Sequence, residues 1–474
     1  MIQLTLMTKK YLLLFSKIAL MSLTFVSCKN NFIDTNDVAY FGGEVEHPTS
    51  RFILFCKDGE VLDTIPLKKD NTFIKKMDSL PAGLYSFKNE PEYQYVYFDK
   101  NDSIMVHIDS YNFDESIVFC GNGGEKNNFL IEMFIKNEKD KNDTFDAFDL
   151  GLNKFNAKID AIYNQNSKLY QSKKDEISWN SDFDVYAQAL VNLPYYSKKE
   201  IYPIMHQLRT GNDAFESLPK NYYSYREKLD FSNDKLIHFS PYTSYINTML
   251  TNSASLKYHN HFSEVDVALK TGINKLKIAD TLIKNEKVKN AVLNSVAFQY
   301  LLEDQNMVNV NEFLSVYKNI STDKSKKNEI TKLGNSIQFL TVGKKLPNVQ
   351  LADKNGSVFD AVDLIDKNTV FFFWTDNLQS HFEGAHKKAV EFQKKYPETQ
   401  FISINIDSNI NNWKTIISKK HYPNIKEFHC KNFEELKTKW AITKIHRTII
   451  VNKNKTIKNG FSNMFDVNFE KELR

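Results

Sequence analysis

Five consecutive apolar residues, Val370-Phe371-Phe372-Phe373-Trp374, constrain this chain more than any other feature. A continuous apolar run of this kind reads as a strand buried on both faces, hence central in a sheet with helices above and below. The flanking sequence supplies those helices. Phe382 to Tyr396 reads as a helix. Phe401-Ile402-Ser403-Ile404-Asn405-Ile406 is the next strand, ending at Asp407. Asn411 to Lys420 and Phe433 to Trp440 are further helices. Arg447-Thr448-Ile449-Ile450-Val451 and a hairpin around Lys453-Asn454-Lys455 close the sheet. Residues 339–474 are therefore expected to form a mixed α/β unit.

The chain has 474 residues, which at roughly 150 residues per domain suggests about three domains. A 42% hydrophobic content is ample for several cores. Residues 37–122 read as all-β. Val38-Ala39-Tyr40-Phe41, Phe52 to Phe55, Thr72-Phe73-Ile74, Tyr93 to Phe98 and Ser103 to Ile108 are rich in β-branched and aromatic residues. Turn signals such as Lys57-Asp58-Gly59 and Pro81-Ala82-Gly83 separate them, and a small β-sandwich is expected. Cys56 and Cys120 each end an apolar run and read as buried strand positions. Gly121-Asn122-Gly123-Gly124 marks a boundary. Over residues 125–338 helical period takes over. Ser263 to Asp266 has the form of a capping box. Val265, Leu269, Ile273, Leu276 and Ile283 then recur at helical spacing, as do Val292, Val296, Tyr300 and Leu301. The aromatic stretch Tyr222, Tyr223 and Tyr225 reads as helix packing.

The first 28 residues read as an address. Lys9 and Lys10 precede an apolar stretch from Tyr11 to Val26, and Ser27-Cys28 is followed at once by polar residues. This is the pattern of a secretory signal, and a small residue before cysteine at its end resembles a lipoprotein signal. Cys28 is the expected lipidation site, with acyl chains contributing ~0.8 kcal/mol per buried methylene. The expected partner is a membrane, reached through this lipid anchor in the bacterial cell envelope and most simply facing the periplasm. No later apolar run reaches the ~18 residues that span a bilayer. A net charge of only +4, with no basic stripe, gives nucleic-acid binding no support.

The C-terminal unit resembles the thioredoxin-like domains of the redoxin type found in envelope lipoproteins. Gly343-Lys344-Lys345-Leu346-Pro347, the hairpin Asp353-Lys354-Asn355-Gly356, Phe373-Trp374 and Thr448-Ile449-Ile450-Val451-Asn452 carry the resemblance. The sandwich and helical region resemble the N-terminal parts of the same lipoproteins. In that family Phe-Trp is followed by three residues and then Cys-x-x-Cys at a helix start. The resemblance places the two cysteine positions at Leu378 and His381, with Gln379 and Ser380 between. Neither can form a disulfide. A cis-proline of the family corresponds to His446, and a cis bond there costs roughly 2.5–4 kcal/mol, so trans is expected. Fold retained and redox chemistry lost is the expectation, with no catalytic residue and no cofactor.

Four cysteines occur, at 28, 56, 120 and 430, none in a Cys-x-x-Cys arrangement. Cys430, between His429 and Lys431, would act alone only if exposed beside a cation. His381 and His386 lie about 140° apart around a helix and share no face. His381 and His446 occupy family positions close in space, but two ligands fall short of the four of a structural zinc site. The histidines are therefore expected as polar surface groups, with no metal. The resulting expectation is a non-catalytic binding or structural module, with an envelope protein as a possible partner. The alternatives are a redox protein acting through a partner or Cys430, and a small-ligand carrier using a pocket in the helical region.

Overall fold

The computed structural model describes residues 38–89, 92–256, 267–303, 307–376, 378–442, 444–466 and 468–474. The signal and Cys28, and the helix start at Ser263–Asp266, lie outside the described residues. The chain divides into two compact units, Met1–Phe145 with Asp160–Asn192, and Asp146–Ile159 with Leu193–Arg474.

The first unit is a β-sandwich. Strands β1 (Val38–Glu46), β2 (Phe52–Lys57), β3 (Glu60–Pro66), β4 (Thr72–Asp78), β5 (Gly83–Asn89), β6 (Glu92–Phe98), β7 (Ser103–Asp109) and β8 (Val118–Asn122) form two sheets of order β4-β1-β7-β8 and β3-β2-β5-β6. A short helix, α1 (Phe113–Ser116), precedes β8. Strict alternation sets the faces: in β7, Ile104, Val106 and Ile108 point inward and the residues between them do not. Phe41 sits at the centre of the core, its ring 5.3–5.9 Å from those of Phe55, Phe73, Phe87 and Phe98. β1 runs parallel to β7, and a Cβ on Gly43 would lie 1.9 Å from the Val106 carbonyl oxygen, so that approach requires glycine. Helix α2 (Gly124–Asp143) covers an edge of each sheet. The Asn127 amide exchanges two hydrogen bonds with the Tyr97 backbone on β6, and the Asn128 amide does the same with Phe119 on β8. Covering exposed ladders in this way removes sites of edge-to-edge association.

Cys120 corrects one expectation: it is exposed, not buried. β8 is an edge strand in which Phe119 points inward, so period two sends Cys120 outward. Cys56, on β2, is buried as expected.

Helices α3 (Leu152–Ile177) and α4 (Ser181–Thr210) contribute residues to both units. The second unit continues with α5 (Ser240–Ser255), α6 (Val267–Leu282), α7 (Glu286–Glu303), α8 (Met307–Ile320) and α9 (Lys324–Ile337). Leu269, Leu276 and Ile283 are buried at the expected spacing, but Ile273 is only half-buried. Gly272 takes the interior position instead. A Cβ there would lie 2.7 Å from the Tyr300 ring, which stacks on Phe313. The aromatic stretch near Tyr225 forms 3₁₀ turns rather than an α-helix, and it packs around the buried Glu200 of α4. That carboxylate accepts from Tyr225 Oη at 2.7 Å, Arg226 Nε at 2.8 Å and Asn252 Nδ2 at 2.6 Å.

The same unit ends in a seven-stranded sheet of order β10-β9-β13-β12-β11-β14-β15. Its elements are β9 (Gln350–Ala352), β10 (Val358–Asp360), β11 (Asn368–Trp374), α10 (Gln379–Lys395), β12 (Thr399–Asn405), α11 (Ile410–Lys419), β13 (Lys426–Cys430), α12 (Phe433–Trp440), β14 (Arg447–Val451), β15 (Ile457–Asn463) and α13 (Phe469–Leu473). β11 is central, parallel to β12 and antiparallel to β14. Val370 and Phe372 face the α10 residues Ala385, Ala389 and Phe392, while Phe371 and Phe373 pack on Trp440 of α12. The apolar run is thus buried on both faces. No helix among the described residues is long and apolar enough to cross a membrane.

Candidate functional site

The carboxyl ends of β11 and β12 meet the amino end of α10, the place where open α/β sheets present their loops to ligands. Leu378 is the N-cap residue of α10, and its side chain offers the helix no hydrogen bond. An exposed helix amino terminus carries partial positive charge that would stabilise a thiolate. Leucine gives that field nothing to act on.

His381, in the first turn, is half-buried and turned inward. Its Nε2 lies 3.0 Å from the Phe373 carbonyl oxygen, and its ring packs 5.7 Å from that of Phe465. Burial lowers its pKa, with His446 and His386 acting in the same direction and the Phe373 and Ile445 carbonyls opposing them. His446 is exposed, and its pKa is likewise lowered by desolvation and by Lys444. His446 is thus near enough for its charge to bear on His381. The main-chain carbonyls that His381 faces occupy the nitrogens a metal would need. The next residue, Arg447, is buried and has no carboxylate partner among the described residues. Its guanidinium donates to the carbonyls of Ala441 and Gly460 and lies over the Phe461 ring, and burial pushes its pKa down to about 9.

Two features were not anticipated from sequence. The first is a pair of carboxylates, Asp376 and Asp407. Asp407 accepts from the Asp376 backbone N–H at 2.9 Å, from Asn405 Nδ2 at 2.7 Å and from the Thr375 hydroxyl. Asp376 accepts from the Asn412 amide. Burial, reinforced by hydrogen bonding and charge from Asp407, pushes Asp376 up to about 6. Asp376 lies two residues before Leu378, inside the three-residue spacer after Trp374, where a carboxylate has no motif to mark it.

The second is His386, expected at the surface but wholly buried on the core face of α10. Its Nδ1 lies 2.7 Å from the Phe382 carbonyl oxygen, and its Nε2 lies 3.0 Å from both Ser403 Oγ and Glu427 Oε1. Ser403 also accepts from the Trp374 indole N–H at 2.8 Å. This serine, histidine and glutamate do not form a nucleophilic triad, because serine and carboxylate both approach the same ring nitrogen. His429 is also buried, not a surface group, with Nε2 2.8 Å from the Asp407 carbonyl oxygen. Helical period could have revealed His386: it lies four residues after Phe382 and three before Ala389, both buried on the same face.

Cys430, the last residue of β13, is a buried thiol. Burial pushes its pKa up to about 12, and the negative charge of Asp407 adds to the shift. This is the reverse of the exposed, cation-flanked setting that activates a thiol. Elsewhere in the same unit, a groove of about 880 Å³ runs between α9 and α12, lined by Ser325, Lys326, Glu329, Lys332, Lys437 and Thr438 among others.

A central β11 flanked by α10 and α12, with parallel neighbours on one side and an antiparallel hairpin on the other, defines a thioredoxin-like domain. A family model described as thioredoxin-like matches residues 366–457. The C-terminal part of the chain is thioredoxin-like. Among solved structures, a thioredoxin-like protein from Bacteroides caccae is 15% identical, with 58% of this chain and 92% of that one covered and a TM-score of 0.35. The thioredoxin domain of a thiol-disulfide oxidoreductase from Bacteroides vulgatus is 17% identical, covering 25% of this chain and 86% of that one at a TM-score of 0.21. A thiol:disulfide interchange protein from a Bacteroides species is 17% identical, covering 25% and 79% at a TM-score of 0.22. No curated protein matches the chain.

Proposed function

We propose that the thioredoxin-like domain is a non-catalytic binding module in a protein held at the bacterial cell envelope by lipid on Cys28. One observation carries the reading: the amino end of α10 presents Leu378 and His381 where a thiol–disulfide exchanger needs two sulfur atoms. Exchange proceeds by attack of a thiolate on a disulfide sulfur, and no cysteine occurs from 121 to 429. Cys430 does not substitute, because its thiol is buried and held protonated. Insulin reduction in the presence of dithiothreitol tests this directly. The full chain should add nothing to the rate of dithiothreitol alone; any added turnover would overturn the reading, and Cys430→Ser would show whether that thiol carries it. Anchoring is tested separately: Cys28→Ser should move the protein out of the membrane fraction, and its retention there would refute lipid attachment.

The polar groove between α9 and α12 favours a second reading, a carrier for a small polar ligand. Ligand sites of this size are concave with a few placed polar groups, and Lys332 and Lys437 line this one with Glu329. Crosslinking in intact envelopes separates the two: a protein adduct supports the binding module, whereas a small molecule that co-purifies and is released by Lys332→Glu with Lys437→Glu supports the carrier.

A further inference from the structure

The β-sandwich holds a cluster of side chains that plays no part in the thioredoxin-like site. The parallel pairing of β1 with β7 sets Glu44 beside His107 and Glu46 beside Asp109. His47 follows directly, with a left-handed backbone at φ 49°, and this turns its ring back over the strand ends. His47 Nδ1 lies 2.9 Å from Asp109 Oδ1. Ligand atoms of Glu46, His47 and Asp109 all lie within 4.8 Å of one another. His107 Nε2 adds a fourth donor, 3.9 Å from Glu46 Oε1. The Tyr111 ring stacks on the His47 imidazole at 4.3 Å and limits its rotation.

We propose that Glu46, His47, His107 and Asp109 form a binding site for a divalent transition metal, with zinc the ion that the donor set fits best. Two imidazoles and two carboxylates are borderline nitrogen and hard oxygen donors. A purely acidic cluster would suit calcium or magnesium; the histidines move the preference to zinc. Zinc bonds of roughly 2.0–2.2 Å place tetrahedral ligands about 3.3 Å apart. The His47–Asp109 pair is already closer than that; Glu46 needs to draw in by up to about 1.5 Å, and His107, which approaches Glu46 but lies outside the group of three, needs to swing further to complete the set. Without metal the pair is an ordinary surface hydrogen bond from imidazole to carboxylate. With metal, the neutral ring takes the Nε2–H tautomer, so that the Nδ1 lone pair binds the ion and the proton is carried on Nε2. Four protein ligands close the coordination sphere, so the ion would join the end of β1 to the end of β7 as a structural tie.

The test uses the full chain in detergent, stripped with chelator, and titrated with zinc chloride by calorimetry at neutral pH. One zinc ion per chain is expected, with a melting transition of the sandwich that rises with zinc concentration. The double variant His47→Ala/His107→Ala should weaken binding by at least about tenfold, and Asp109→Asn should weaken it also. His421→Ala, at an exposed histidine elsewhere, should leave it unchanged. Circular dichroism in chelator checks that each variant is folded, and Glu46→Gln serves as the milder substitution if one is not. Zinc binding that is undiminished in the double variant, one ion shared by two chains, or calcium binding as tight as zinc would each overturn the proposal.

Discussion

Replacing Asp376 by asparagine should stabilise the thioredoxin-like domain, and only above the pH at which Asp376 ionises. The carboxyl group is partly buried, faces Asp407, and has its pKa pushed from 3.8 to about 6. A folded-state pKa above the unfolded one means that the protonated form is favoured by folding. The associated stability is fully present below about pH 4 and is lost as the pH rises through about 6. A shift of roughly two units at about 1.4 kcal/mol each gives an upper bound near 3 kcal/mol. Solvent screening at the partly open mouth of the site brings the expectation to about 1–2 kcal/mol. Asparagine keeps the local bonding, because its carbonyl can accept from Asn412 and its amide can donate to Asp407. The assay is urea unfolding followed by tryptophan fluorescence. Trp374, Trp413 and Trp440 are all buried in this domain, and a Trp179→Phe background silences the fourth tryptophan. The variant should exceed the parent by about 1–2 kcal/mol at about pH 8 and match it at about pH 4. An equal gain at both pH values, or none at either, would refute the account in which burial and Asp407 hold the Asp376 carboxyl protonated.

Phe41→Ala should cost the sandwich about 3–5 kcal/mol, because the ring touches four other phenylalanines and the cavity cannot collapse evenly; chemical unfolding followed by far-ultraviolet circular dichroism reads it. Glu200→Ala strips a carboxylate from beside Arg226 and leaves that cation and the hydroxyls of Tyr225 and Tyr245 without their acceptor, so about 3–5 kcal/mol should be lost, and a loss below about 1 kcal/mol would show that the network relaxes freely. Native Cys430 should resist iodoacetamide at neutral pH and react only on unfolding, as mass spectrometry of peptides from each state would show.

The elements most plainly written in the sequence are those whose burial is uniform along the strand. β11 from Thr369 onward and β12 throughout are buried, and their apolar centres appear in the sequence with nearly correct limits. α12 begins where Asn432 accepts a hydrogen bond from the Glu435 backbone, and its limits match the expected Phe433 to Trp440. β3 shows the opposite case: an edge strand with only Ile65 buried, it leaves no alternating pattern to read. Cys120 was misplaced for a related reason, since the apolar run before it concealed that only one face of β8 is covered. The site was legible only where the family pattern reaches, at Leu378, His381 and His446. Asp376 with Asp407, His386 with Glu427, and Glu46 with His107 are pairs that the fold brings together across 31 to 61 residues of sequence, and local periodicity carries no record of such partners.

What the tip of α10 retains bears on what it can do. In an exchanger the polar groups around the helix start act on a reacting sulfur. Here each has been taken up by its own surroundings. His381 faces the Phe373 carbonyl, Arg447 holds the carbonyls of Ala441 and Gly460, and Asp407 binds the Thr375 hydroxyl and the Asp376 backbone. These bonds fix the loops after β11 and β12 and before β14 against one another. Rigid loops with satisfied polar groups present a partner with a surface of defined shape at little ordering cost. That is the property that the proposed binding module requires.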